Sequence, residues 1–188
     1  MASNPKTFLT EEEYLAIERQ AEFRSEYFAG EMFALAGASR RHNRIVTNLI
    51  ARLDSQLRDG PCNVYSTDLR VKVTSTGLYT YPDVVITCGE ERFADGENDI
   101  LLNPLVIIEV LSDSTEGYDR GKKFENYQSI ESLREYLLVS QNAQRVEQFV
   151  KQNEKNWMYS EIHEPGESIK IQSIECELKL EDIYLKVE

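Results

Sequence analysis

The sequence predicts an α/β protein with a mixed sheet, and three observations predict it. Val84-Val85-Ile86 and residues 105–111 are continuous apolar runs, as expected for central strands covered on both faces. Ile45, Val46, Leu49, Ile50, Leu53 and Leu57 recur at steps of three and four, the pattern of an amphipathic helix. Residues 145–150 and 157–162 are apolar segments joined by a short polar loop, which reads as an antiparallel extension.

Each element has its own local signal. Thr10 followed by Glu13 is a capping-box pattern ahead of Tyr14, Leu15 and Ile17, and predicts a first helix of roughly three turns. Residues 23–28, Ala29-Gly30 and residues 31–35 read as a hairpin with Gly30 at a permissive turn position. The amphipathic helix is capped by Ser39 and closed by Gly60-Pro61, which puts His42 in its first turn. Residues 62–65, 69–73 and 81–87 read as successive strands, with Ser75-Thr76-Gly77 as the turn between the last two. The acidic, glycine-containing stretch 88–103 is expected to be a loop or short exposed helix. Residues 118–130 read as a helix, 134–140 as a strand, and 168–188 as a strand with a final turn or helix.

Composition narrows the class. The 188 residues are 41% hydrophobic, enough for a sizeable core, and nothing repeats. No apolar run approaches the ~20 residues of a membrane span and no signal peptide opens the chain, so a single soluble cytoplasmic domain over 1–188 is expected, with no membrane partner. Cys62, Cys88 and Cys176 are odd in number and far apart, which points to buried thiols and away from a disulfide framework or a zinc site. A net charge of −12 opposes nonspecific nucleic-acid binding, although Arg40, Arg41 and Arg44 cluster with His42, and Arg120 and Lys122 lie close to Lys123.

The chemistry centres on two acids. Asp83 and Glu109 adjoin the two apolar runs, where a carboxylate is costly unless paired or bound to metal. On neighbouring strands they could share one Mg²⁺ or Mn²⁺, the cation that phosphodiester hydrolysis uses to polarise a phosphoryl oxygen and acidify water. Asp119, Lys123 and Tyr127 follow at four-residue intervals on one helix face. Lys123 is the candidate to orient the attacking water, Asp119 to pair with it and Tyr127 to hold the helix against the strands; an ordinary salt bridge with a packing tyrosine explains the same spacing. Glu26 is a further candidate carboxylate, or an exposed strand residue.

Glu26 with Gly30-Glu31, His42, Pro82-Asp83-Val84-Val85, Ile108-Glu109-Val110-Leu111-Ser112, Tyr118-Asp119-Arg120-Gly121-Lys122-Lys123-Phe124 with Tyr127, and residues 132–139 form one constellation. Over about residues 9–187 it resembles the Uma2-like restriction endonuclease family of the PD-(D/E)XK nuclease superfamily, abundant in cyanobacteria. The resemblance implies a restriction-endonuclease-like core, a central mixed sheet flanked by helices. It also implies a metal held by Asp83, Glu109, the Val110 carbonyl and Glu26, with His42 in a supporting place. The lysine normally found two positions after the glutamate is absent, because Leu111 stands there. The resemblance implies that Lys123 replaces it.

The sequence therefore leads to a Mg²⁺- or Mn²⁺-dependent endonuclease acting on DNA, with Arg40, Arg41, Arg44, Arg120 and Lys122 touching phosphates. The alternative is a catalytically inactive nuclease scaffold used for binding or oligomerisation, with residues 157–162 at a two-fold homodimer interface. Glycoside hydrolysis by paired acids leaves Lys123 without a task, and only Trp157 offers an indole to stack on a sugar.

Overall fold

The computed structural model describes residues 8–188. Its first helix, α1 (Glu11–Glu18), has the expected capping box, with Thr10 accepting from the Glu13 amide and Glu13 accepting from the Thr10 amide. It runs about two turns, one fewer than expected. The hairpin β1 (Ser25–Phe28) and β2 (Glu31–Ala34) follows. Gly30 takes φ +86, and a Cβ there would lie 2.8 Å from Phe8, so the turn needs both the freedom and the smallness of glycine. The long helix α2 (Arg40–Leu57) starts on Ser39, whose hydroxyl accepts from the His42 amide.

A six-stranded mixed sheet forms the centre. It contains β3 (Cys62–Ser66), β6 (Val84–Cys88), β8 (Val106–Leu111), β9 (Glu135–Ser140), β10 (Val146–Lys151) and β11 (Trp157–Ile162), in the order β11-β10-β9-β8-β6-β3. Only β8 and β9 are parallel, and the other neighbours are antiparallel. A second sheet, ordered β2-β1-β5-β4-β7, adds β4 (Arg70–Val73), β5 (Leu78–Thr80) and the short β7 (Ile100–Leu101). The C-terminal stretch resolves into β12 (Ser168–Ile171) paired with β13 (Cys176–Lys179), followed by α5 (Leu180–Ile183).

Alternation along the central strands divides the core in two. Val84, Ile86, Ile108 and Val110 meet Ile45, Leu49 and Leu53 of α2 and the C-terminal apolar residues. Val85, Ile107, Leu111 and Leu138 face the second sheet and Tyr127. This explains why β6 and β8 are apolar throughout: both faces are covered. It also sends Glu109 to the Tyr127 side, since it shares the parity of Ile107 and Leu111.

Further expectations change. The segment 81–87 is not one strand: β5 ends at Thr80 in the second sheet, and β6 begins at Val84 in the central one. Pro82, which cannot donate to a ladder, lies in the crossing between them. Cys62 and Cys88 are opposite one another on β3 and β6 and form a disulfide, leaving Cys176 as the buried free thiol. Spacing hid this, because only the antiparallel register brings residues 26 positions apart into contact. The helix expected over 118–130 is α3 (Glu116–Tyr118), a π-helical turn (Asp119–Lys123) and α4 (Phe124–Tyr127).

Candidate active site

Asp83 and Glu109 are brought together by the β6–β8 pairing, in which Val84 is opposite Ile108. The two residues are tied reciprocally: the Asp83 amide donates to Glu109 Oε2 at 3.3 Å, and the Val110 amide donates to Asp83 Oδ2 at 2.8 Å. Asp83 Oδ2 also lies 3.0 Å from His42 Nε2, so the first turn of α2 reaches the strand ends. His42 Nδ1 is buried without a hydrogen-bond partner among the described residues.

Lys123 enters from the opposite side. Its Nζ lies 3.0 Å from Glu109 Oε1, 3.1 Å from Glu26 Oε1 and 3.5 Å from Asp119 Oδ1. The phenol of Tyr127 donates to Glu109 Oε1 at 2.9 Å. The shared face of Asp119, Lys123 and Tyr127 has a geometric cause. Four α-helical residues overshoot one turn by about 40°, whereas a π turn is wider and undershoots it. The π turn over Asp119–Lys123 and the α-helical turn after it therefore offset each other. Tyr136 braces the turn by donating to the Asp119 carbonyl at 3.0 Å.

One ammonium among these carboxylates leaves an excess of negative charge. Burial pushes the Glu109 carboxyl up to about 8; Lys123 opposes the shift, and the charges of Asp119 and Asp83 add to it. Burial likewise raises the Asp119 carboxyl, against the pull of Lys123. Burial alone would lower Lys123, but Glu109, Tyr127, Glu26 and Asp119 outweigh it and hold the ammonium well above its ordinary value. The Tyr127 phenol is driven up by burial and by Glu109, so it remains a donor.

Asp83, Glu109, Lys123, Asp119 and His42 line one cleft, whose rim includes Phe23, Arg24 and Ser112. Glu26 is not an exposed strand residue; it is buried against Lys123, and its carboxylate accepts from the Thr80 hydroxyl. Among the described residues, no group of three or more histidine, cysteine, aspartate or glutamate side chains is arranged to hold a metal ion. Glu26 and Asp119 are turned to the lysine.

The cationic residues separate into two kinds. Arg120, expected at a phosphate, is tied to Glu116 at 2.9 Å and to the buried Glu147, joining the helical segment to β10. Arg40, Arg41 and Arg44 on the first turns of α2 are exposed, and so is Lys122. Trp157 packs edge-on against Phe124, an ordinary core contact. Thr80 and Tyr118, whose ring lies 5.8 Å from Lys123 Nζ, complete the surroundings of Glu26 and Lys123. Tyr118 stood in the constellation without a role of its own, and Thr80 did not stand out: it is a single polar residue at the end of a short apolar strand, and its role depends on a partner in β1.

The central mixed sheet with flanking helices defines a restriction-endonuclease-like architecture. It superposes on the crystal structure of "a putative nuclease belonging to DUF820" from Anabaena variabilis ATCC 29413 with a TM-score of 0.77 and 20% identity, covering 94% of this chain and 97% of that one. The model of the Uma2 family, described as "Putative restriction endonuclease", matches residues 11–183, and the chain belongs to that family. Two relatives come from Synechocystis sp. (strain ATCC 27184 / PCC 6803 / Kazusa). The uncharacterized protein sll1609 is 38% identical over 164 residues, covering 87% of this chain and 92% of its own length. The uncharacterized protein slr1290 is 32% identical over 182 residues, covering 97% and 94%.

Proposed function

We propose that this protein is a divalent-metal-dependent endonuclease that hydrolyses DNA phosphodiester bonds. The observation that carries the reading is the convergence of Lys123 on Glu109 at 3.0 Å, beside Asp83, in one cleft. A lysine missing from the strand arrives from the helix.

The donors that remain for a cation are Asp83 and Glu109, with the Val110 carbonyl as the backbone candidate. Two carboxylates suit Mg²⁺ or Mn²⁺, which keep several waters and complete their shell with substrate oxygens. The raised Glu109 carboxyl fits the same conclusion, because an added cation relieves the excess of buried negative charge. When bound, the ion would polarise the scissile phosphoryl group and lower the pKa of the attacking water. Lys123 is held rigidly by three carboxylates and directs its charge at the place where negative charge develops on the phosphate. His42 and the Val110 amide fix the Asp83 carboxylate, and Tyr127 fixes Glu109.

Incubation with single-stranded, duplex and branched DNA in Mg²⁺ or Mn²⁺ tests the reading, with Asp83→Ala as the control. Cleavage that this variant abolishes supports it; cleavage at full rate by the variant overturns it.

The second reading is a nuclease scaffold that binds or oligomerises without cutting. The net charge of −12 favours it, as does edge strand β11, where Met158 and Tyr159 are about half exposed. It requires that calorimetry show no Mg²⁺ or Mn²⁺ binding and that no DNA be cleaved.

A further inference from the structure

Arg40, Asn43, Arg44 and Thr47 follow one another along α2 at i, i+3, i+4 and i+7, a single exposed stripe. Facing it, Lys186, at φ +59, and Glu188 come from the turn after α5. These six residues line a groove. Asn43 also lines the cleft that holds Asp83, Glu109 and Lys123, so groove and cleft meet at that residue. The junction is fixed in place: Asn43 Nδ2 donates to the Ser39 carbonyl at 3.1 Å, and the Thr47 hydroxyl donates to the Asn43 carbonyl at 2.7 Å.

The groove's charge runs against that of the whole chain. Several of the arginines elsewhere are consumed by acids: Arg19 by Asp95 and Asp99, Arg52 by Asp182, Arg120 by Glu116 and Glu147. Arg44 and Lys186 have no ion-pair partner among the described residues. Arg40 has Glu188 at 3.1 Å, with both side chains about four-fifths exposed. Such a pair is screened by water and readily exchanged for a stronger anion.

We infer that this groove binds the phosphodiester backbone of a nucleic-acid strand whose scissile phosphate occupies the adjoining cleft. The inference rests on the nuclease reading above and adds the path of the substrate. From Arg40 to Thr47 the helix rises about 10 Å, about three nucleotide steps of ~3.4 Å along the axis of a stacked strand. Arg40 and Arg44 present guanidinium forks that match phosphate oxygens, and Lys186 supplies a third charge from the facing wall. Elsewhere the acidic surface repels the strand, so its field favours this entry. Contacts of this kind set position and register and carry no sequence preference.

The test is binding of fluorescein-labelled oligonucleotides, single-stranded and duplex in separate arms, to full-length Asp83→Asn protein without divalent ions, read by anisotropy across a salt series. Removing Arg40, Arg44 and Lys186 together by alanine substitution is expected to weaken binding at least tenfold. It should also flatten the slope of log K against log salt by about 2 to 3. Glu188→Ala, which frees Arg40, is expected to tighten binding a few-fold. Since all four side chains are exposed, thermal melts should be unchanged. Equal affinity and equal slope in the triple variant, or no oligonucleotide binding in either arm, overturns the groove. Hydrolysis of bis(p-nitrophenyl) phosphate by wild type against Asp83→Asn in Mn²⁺ reads the cleft separately, because that ester has no flanking phosphates. A groove effect without ester hydrolysis supports the groove and overturns the nuclease chemistry; hydrolysis without a groove effect does the reverse.

Discussion

Lys123 and Glu109 meet at 3.0 Å although one stands on a π-helical turn and the other on an inner strand of a six-stranded sheet. Both are almost fully buried, so neither charge is satisfied by water. The pair belongs to a larger set in which Glu26 and Asp119 share the same ammonium.

Removing that ammonium should be costly. Lys123→Met keeps the volume but leaves three carboxylates without a counter-ion, and breaking such a pair is expected to cost about 3–5 kcal/mol. The raised pKa of Lys123 means its contribution is present at acid and neutral pH and is lost only as pH rises through that elevated value. Urea unfolding at pH 7 measures the loss. A partial recovery at pH 5 is expected, where the orphaned carboxylates protonate.

Glu109 makes stability depend on pH in the opposite sense to an ordinary salt-bridged acid. Its carboxyl is raised to about 8, by burial first, with Lys123, Asp119 and Asp83 as the facing charges and Tyr127 as its neutral donor. A raised group contributes stability that is full below its unfolded value, about 4.3, and is lost as pH rises through about 8. Metal-free wild type should therefore lose stability between pH 5 and 8, and Glu109→Gln, which has the same shape but no titrating carboxyl, should show a flatter profile. Denaturation midpoints at pH 5, 6.5 and 8 check the two slopes.

Divalent cations should counter that loss. Mg²⁺ or Mn²⁺ at about 100 times its dissociation constant is expected to stabilise the native state by about 2.7 kcal/mol, with the larger shift at pH 8 and the smaller at pH 5. Chelation by EDTA should remove it. Asp83→Asn should show no cation-dependent rise in Tm while unfolding within about 1 kcal/mol of wild type without metal, since the amide oxygen still accepts from Val110.

Reduction should loosen the sheet edge. The Cys62–Cys88 bridge closes a loop of 26 positions, and in the chain-entropy account such a loop contributes about 3.5 kcal/mol. Dithiothreitol, or Cys62→Ser, is expected to lower the urea midpoint accordingly. Thiol titration of the denatured, unreduced chain should count one free thiol, Cys176.

Much of this architecture was legible along the chain because it rests on near neighbours. The spacing from Ile45 to Leu57 marked α2, Ser39 marked its start, and the runs at 84–86 and 105–111 marked strands buried on both faces. The four-residue spacing of Asp119, Lys123 and Tyr127 pointed to a shared face, and the structure puts all three around Glu109. Where reading failed, distant partners decided. The strand expected over 81–87 starts only at Val84, because β5 ends at Thr80 in the other sheet and the residues between them make the crossing. Arg120 looked free until folding set Glu147 beside it.

By itself the sequence determined periodicity, caps and turns, since these depend on residues a few positions apart. Only the tertiary structure decided that Cys62 meets Cys88, that His42 meets Asp83, and that Glu26 and Thr80 enclose Lys123. Those contacts arise from strand register and from how α2 and the helical segment pack on opposite sides of the sheet. Burial then sets their charge, because a carboxylate removed from water answers to whichever groups the fold has placed within a few ångströms of it.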